Sequence, residues 1–123
     1  MRSLAMTSFP HQQVAAERTA TIRALNDAFR RNPTAGRAVM TKGVNALPHD
    51  QRLTLLRAVV GFSAFDAGNN PHNEHDFGAI DIDGVSYFWK IDYFDQDYDM
   101  GSPDPANPHV TRRVLTIMRA DEY

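Results

Sequence analysis

Apolar residues recur at helical spacing at Val14, Ala15, Ile22, Leu25, Ala28 and Phe29, while Glu17, Arg18, Arg23, Asp27, Arg30 and Arg31 form the polar complement. This pattern predicts a first helix over 11–31, with Arg30 and Arg31 placed where cations suit the helix dipole and Asn32-Pro33 ending it. Residues 1–10 read as an arm or helix lead-in, with Ser8 as a candidate N-cap. The run from Gly36 to Gly43 alternates between glycines and predicts an edge strand, whose Arg37 and Lys42 discourage pairing with another molecule. A second helix is expected from Pro48 to Phe65, with Leu53, Leu56, Val60 and Ala64 on one stripe and Leu55, Val59 and Phe62 widening it. Gly68 would close it as a left-handed cap.

The second half changes period. Two runs of alternating apolar and polar residues flank Asp83-Gly84, a strong short-range hairpin signal. A two-residue turn there sets Ile82 opposite Val85, Ile80 opposite Tyr87 and Gly78 opposite Trp89 on a core face. The absent side chain of Gly78 leaves room for the indole. On the other face Asp81 meets Ser86, Ala79 meets Phe88, Phe77 meets Lys90, and His75 meets Asp92. A polar, proline-punctuated loop over 95–108 follows, and then a final strand over 112–119 that is apolar on both faces. Together these elements predict an α+β fold: a small, mainly antiparallel sheet of three or four strands, the hairpin at its centre, and two helices packed on one face. Residues 11–123 are expected to form a single α+β domain behind the 1–10 arm.

Composition narrows the chemistry. The absence of cysteine removes disulfides, thiolate nucleophiles and Cys-type zinc sites. No apolar run reaches the ~18 residues of a membrane span, and the N-terminal run is too broken for a signal peptide, so a soluble, cytoplasmic protein without a membrane partner is expected. Residues 1–60 carry nine Lys/Arg against three Asp/Glu, and residues 61–123 carry four against twelve, which together give the net charge of −2. Such a split either marks an acidic surface that draws in a partner or is cancelled when the halves fold together.

The densest chemistry lies around the hairpin. Glu74, His75, Asp76, Lys90 and Asp92 form the expected binding cluster, and His75, Asp92 and Lys90 are the candidate catalytic trio. An imidazole facing a carboxylate suits a general base, the outer shell of a metal ligand, or a plain ion pair. No metal site is expected. His72 and His75 lack a third ligand, and the Asp95-Asp97-Asp99 loop has Met100 where a calcium loop needs glycine and Ala106 where it needs a bidentate glutamate. No phosphate cradle, nucleophile elbow or dinucleotide fingerprint occurs, so no cofactor is expected. The basic first-helix face (Arg18, Arg23, Arg30, Arg31) lacks the aromatic residues that single-strand binding uses, leaving nucleic acid an open question.

Several longer segments carry a resemblance. They are Leu25-Asn26-Asp27-x-Phe29-Arg30, Thr41-x-Gly43-Val44, Phe62-x-x-Phe65, Asn70-Pro71-x-x-Glu74-His75-Asp76-Phe77-Gly78, Trp89-Lys90-Ile91-Asp92-Tyr93, Gly101-Ser102-Pro103-Asp104-Pro105 and Arg113-Val114-Leu115-Thr116-Ile117-Met118-x-Ala120-x-Glu122-Tyr123. In this order, from about residue 17 onward, they resemble an uncharacterised bacterial family known as domain of unknown function 3768. The resemblance implies carriage on plasmids and other mobile elements, and it singles out Glu74, His75, Asp76, Lys90 and Asp92. The leading expectation is a non-enzymatic binding or inhibitor protein, an accessory factor of a mobile element that engages a host protein or nucleic-acid-processing enzyme through the acidic second half. The alternative is a small hydrolase- or nuclease-like enzyme with His75 as base, Asp92 orienting it and Lys90 stabilising negative charge.

Overall fold

Helix α1 runs Pro10–Arg31 and stops before Asn32-Pro33, with Arg30 and Arg31 in its last turn. The computed structural model describes residues 10–123, so Ser8 and all but the last residue of the expected arm lie outside the described residues. Residues 10–18 of α1 are exposed, and the helix packs through its second half, where Ile22, Asn26, Phe29 and Arg30 are buried. A short 3-10 turn at Pro33–Ala35 leads into β1, Arg37–Met40. Helix α2 is a single turn, Lys42–Asn45, and α3 spans His49–Val60. Strands β2 (Phe77–Ile82), β3 (Val85–Phe94) and β4 (Arg112–Arg119) complete the sheet.

The strand order is β1-β4-β3-β2. The α+β class stands, but the sheet is mixed: β1 runs parallel to β4, while the β2/β3 and β3/β4 pairs are antiparallel. The reason is connectivity, since β1 and β4 are far apart in sequence and so escape the antiparallel constraint of a tight turn. Nor does the hairpin occupy the centre. β2 is an edge, and β4 lies inside because Val114, Leu115, Ile117 and Met118 are buried on its two faces. Along the hairpin the pairs run from Ile82 opposite Val85 to Phe77 opposite Lys90, with Gly78 opposite Trp89.

The core gathers on one side of the sheet. Tyr87, Trp89, Ile91, Leu115 and Ile117 meet Phe29, Val44, Leu55 and Val59. Trp89 is fully buried, and a Cβ on Gly78 would overlap its indole nitrogen. The second helix ends earlier than its apolar pattern suggests: the Gly61 amide closes on the Arg57 carbonyl at 3.0 Å, and Phe62 and Phe65 follow in an irregular segment. These two rings are apolar because they seat edge-on against Trp89, with centroids 5.4 and 6.1 Å away, and not because a helix carries them. Within α3 the buried residues are Leu55 and Val59, while Leu53, Leu56 and Val60 are half-buried.

After β4 the chain turns through Ala120–Glu122. The Glu122 carboxylate accepts hydrogen bonds from the Thr41 hydroxyl (2.7 Å), the Gly43 amide (2.8 Å) and the Arg119 amide (2.8 Å). These bonds, led by that from Thr41, hold its pKa below the ordinary glutamate value. The clamp satisfies donors at the start of α2 that a single helical turn leaves free.

Candidate functional site: a polar seam and an open face

The polar residues of the second half of α1 face the sheet, where charge and amide groups need partners. Asn26 is fully buried, and all of its side chain is used. Its Nδ2 donates to the Glu74 carbonyl (3.0 Å) and the Tyr93 hydroxyl (2.7 Å), and its Oδ1 accepts from Arg113 Nε (2.7 Å). The Tyr93 hydroxyl in turn donates to Glu74 Oε1 at 2.8 Å. Arg113 closes the network by donating from Nη2 to the Pro105 carbonyl and stacking its guanidinium over the Tyr93 ring at 5.1 Å. Burial, reinforced by the Glu74 carboxylate, raises the Tyr93 pKa far above the ordinary phenol value. Burial also lowers that of Arg113.

One turn further along α1, Arg30 is 1% exposed and donates to Asp27 Oδ1 (3.0 Å) and the Phe62 carbonyl (3.1 Å). Its guanidinium lies over the Phe65 and Trp89 rings at 5.4 and 5.1 Å, a cation–π arrangement that replaces part of the lost hydration. The Asp27 carboxylate can only accept, so the 2.9 Å contact with His75 is a bond donated by Nδ1–H, which fixes that tautomer. The His75 ring stacks flat on Phe65, with centroids 3.7 Å apart. Burial works to raise the Asp27 pKa, but the bonds from His75 and Arg30 outweigh it and hold the carboxyl below its ordinary value.

The proposed trio is therefore not assembled. Asn73 and His75 have positive φ (57° and 56°), which turns the chain before the strand begins at Phe77, and the ladder stops short of a His75–Asp92 pair. His75 takes Asp27 as its partner, while Lys90 and Asp92 pair with each other at 2.7 Å, both side chains more than a third exposed. Alternation places Lys90 and Asp92 on the sheet face opposite Trp89 and the helices. Glu74 joins the seam through Tyr93. Asp76 is half-buried, and burial together with the neighbouring Glu74 charge raises its pKa. His72 is exposed, and among the described residues no three His, Asp or Glu side chains gather where they could hold a metal ion. Asp95 turns its carboxylate back onto the amides of Asp97 and Asp99 (3.1 and 3.0 Å), the bonding of a self-supporting turn.

Periodicity alone does not reveal Asn26, Asp27, Tyr93 and Arg113 as members of this network, and it assigns Arg30 to the polar complement of α1. A signal was present: Asn26 and Arg30 fall four and eight residues after Ile22, on the same helical stripe as the core. Three of the four arginines of the basic helix face are engaged. Arg18 pairs with Asp104 (3.1 Å), Arg23 donates to the Asn73 carbonyl (2.9 Å), and Arg30 is buried.

A family model described as Protein of unknown function (DUF3768) matches residues 40–122, well over half of the chain. The chain belongs to this family. The DUF3768 match covers α2, α3 and strands β2 to β4, whereas α1 lies outside it, so the resemblance read from residue 17 extends beyond the matched segment. No curated protein and no solved structure matches the chain. Among the described residues no helix is long and apolar enough to cross a membrane.

Proposed function

We propose that this DUF3768 chain is a non-enzymatic binding protein, an accessory or inhibitor factor of a mobile element acting in the cytoplasm on a host protein or nucleic-acid-processing enzyme. The observation that carries the reading is an aromatic cluster on the face of the sheet opposite the described helices. Phe77, Phe88 and Tyr123 touch one another with ring centroids 5.1, 5.6 and 6.0 Å apart, and Tyr123 is 74% exposed. Asp81 and the Lys90–Asp92 pair flank the cluster on the same face. Clustered rings with a charged rim are the anatomy of a protein-docking centre. Every residue named belongs to the acidic half, so a partner with basic residues around an apolar pocket fits best.

The test is affinity capture from a bacterial lysate with the wild type and with Phe77→Ala and Tyr123→Ala, using Val14→Ala on the exposed end of α1 as control. Loss of an aromatic centre should cost about 2 kcal/mol or more of affinity, roughly thirtyfold. A partner retained equally by all four proteins would remove this face from the proposal. The enzymatic alternative is favoured by a different observation, the Asp27–His75 bond that orients an imidazole. It predicts hydrolysis of a model ester or phosphodiester that disappears in His75→Gln.

A further inference from the structure

A cleft of about 450 Å³ opens between α1 and the start of β4, within the size range of small-molecule sites. Leu25, Ala28 and Phe29 of α1 supply an apolar wall, Tyr98 supplies an aromatic one, and Arg112 and Arg113 stand at the strand end. Gly36 also lines the cleft, and a Cβ there would collide with the Phe29 ring, so the wall depends on glycine at this position.

The charge in the cleft is one-sided. No Asp or Glu is among the residues that line it. The Arg112 side chain is exposed and makes no ion pair or hydrogen bond among the described residues. Arg113 commits Nε to Asn26 and Nη2 to Pro105, which leaves Nη1 outside both bonds and holds the guanidinium in a fixed orientation. A third cation, Arg37, lies over the Tyr98 ring at 3.9 Å. An apolar wall beside one guanidinium held in place, Arg113, and one unpaired, Arg112, suits a ligand with an apolar body and one planar anionic end. A phosphate ester fits less well, because the cleft offers neither a glycine-rich amide cradle nor a lysine.

We propose that this cleft binds a small carboxylic acid with an aryl or branched alkyl body, its carboxylate at the arginine-lined strand end and its body against Leu25, Phe29 and Tyr98. The site is separate from the aromatic face proposed for protein docking, so either can fail without the other.

The experiment is a titration of the full chain with phenylacetate, 4-methylpentanoate, phenylacetamide and inorganic phosphate, followed by ligand-observed NMR and calorimetry. Phenylacetate and 4-methylpentanoate should bind with a Kd of about 1 mM or tighter, and the neutral amide at least about tenfold more weakly. Arg112→Ala, which removes an unpaired surface side chain, should weaken the carboxylates about tenfold while leaving the thermal midpoint unchanged. Ala28→Phe should fill the cleft and abolish binding with the helix intact, as monitored by circular dichroism. Three results would each overturn the proposal: no binding by either carboxylate, equal binding of amide and acid, or phosphate binding as tightly as phenylacetate with the same Arg112 dependence.

Discussion

The two faces of the sheet carry similar side chains in opposite circumstances. On the helix-covered face, Arg30 and Asp27 are bonded to each other and to Phe62 and His75, with Arg30 all but sealed from water. On the other face, Lys90 and Asp92 make a shorter ion pair, 2.7 against 3.0 Å, but both side chains reach solvent. The aromatic residues follow the same division: Trp89, Phe62 and Phe65 interlock in the core, whereas Phe77, Phe88 and Tyr123 form a cluster with water on one side. Distance alone therefore does not rank these contacts. Desolvation does, because a buried charge stripped of its partner has no water to turn to.

The largest test of this contrast is Trp89→Ala, which should cost about 3–5 kcal/mol in a denaturant melt because the seam's arginine and both neighbouring phenylalanines lose their common surface. Asp27→Ala should follow at about 2–3 kcal/mol, since it strands the buried Arg30 cation and frees His75. Combined with His75→Ala in a double-mutant cycle, it should show coupling of about 0.5 kcal/mol or more, whereas additive costs would mean that the two residues act separately. Gly78→Ala should cost about 1–3 kcal/mol by forcing the indole aside. At the small end, Lys90→Ala should change stability by less than about 1 kcal/mol. If Lys90→Ala proved as damaging as Asp27→Ala, the contrast between the faces would collapse.

Acid titration separates two half-buried carboxyls by sign. The Asp27 pKa is lowered in the fold from its ordinary 3.8, so its charged form contributes stability above that value, and the contribution is lost as the pH falls through the lowered folded value. Asp27→Asn should flatten this acid limb. Asp76 is shifted the opposite way, upward from 3.8, so its charge opposes folding at neutral pH and the penalty fades as the pH falls through the raised value. Asp76→Asn should therefore be slightly more stable than wild type at pH 7 and indistinguishable from it well below pH 3.8. Equal acid limbs for wild type and both variants would show that neither carboxyl couples to folding.

Local signals carried through wherever local chemistry decides the structure. Asp83-Gly84 does join two paired strands, α1 stops at Arg31 before the Asn-Pro, and the apolar run of β4 lies inside the sheet. The errors arise where partners are remote in sequence. Neither the parallel β1/β4 pairing nor the end of α3 at Gly61 follows from periodicity, because Phe62 and Phe65 extend the apolar pattern for tertiary reasons. Alternation alone carries the ladder on to His75, but positive φ at Asn73 and His75 turns it away, toward an aspartate 48 positions upstream. The second half of the chain could suggest that His75 has an acidic partner, but only the packing of α1 reveals which one.

Trp89 is the sole tryptophan of the chain, is fully buried, and its indole N–H has no hydrogen-bond acceptor among the described residues. An excited indole relaxes to longer wavelength by reorienting polar partners around itself, and this one is held by phenyl rings and a guanidinium fixed in place. Its emission should accordingly be narrow and shifted to the blue, and it should move to the red as soon as water enters between α1 and the sheet. The protein thus carries an intrinsic optical probe at the seam where its distant segments meet, and loosening of that seam can be followed without attaching a label.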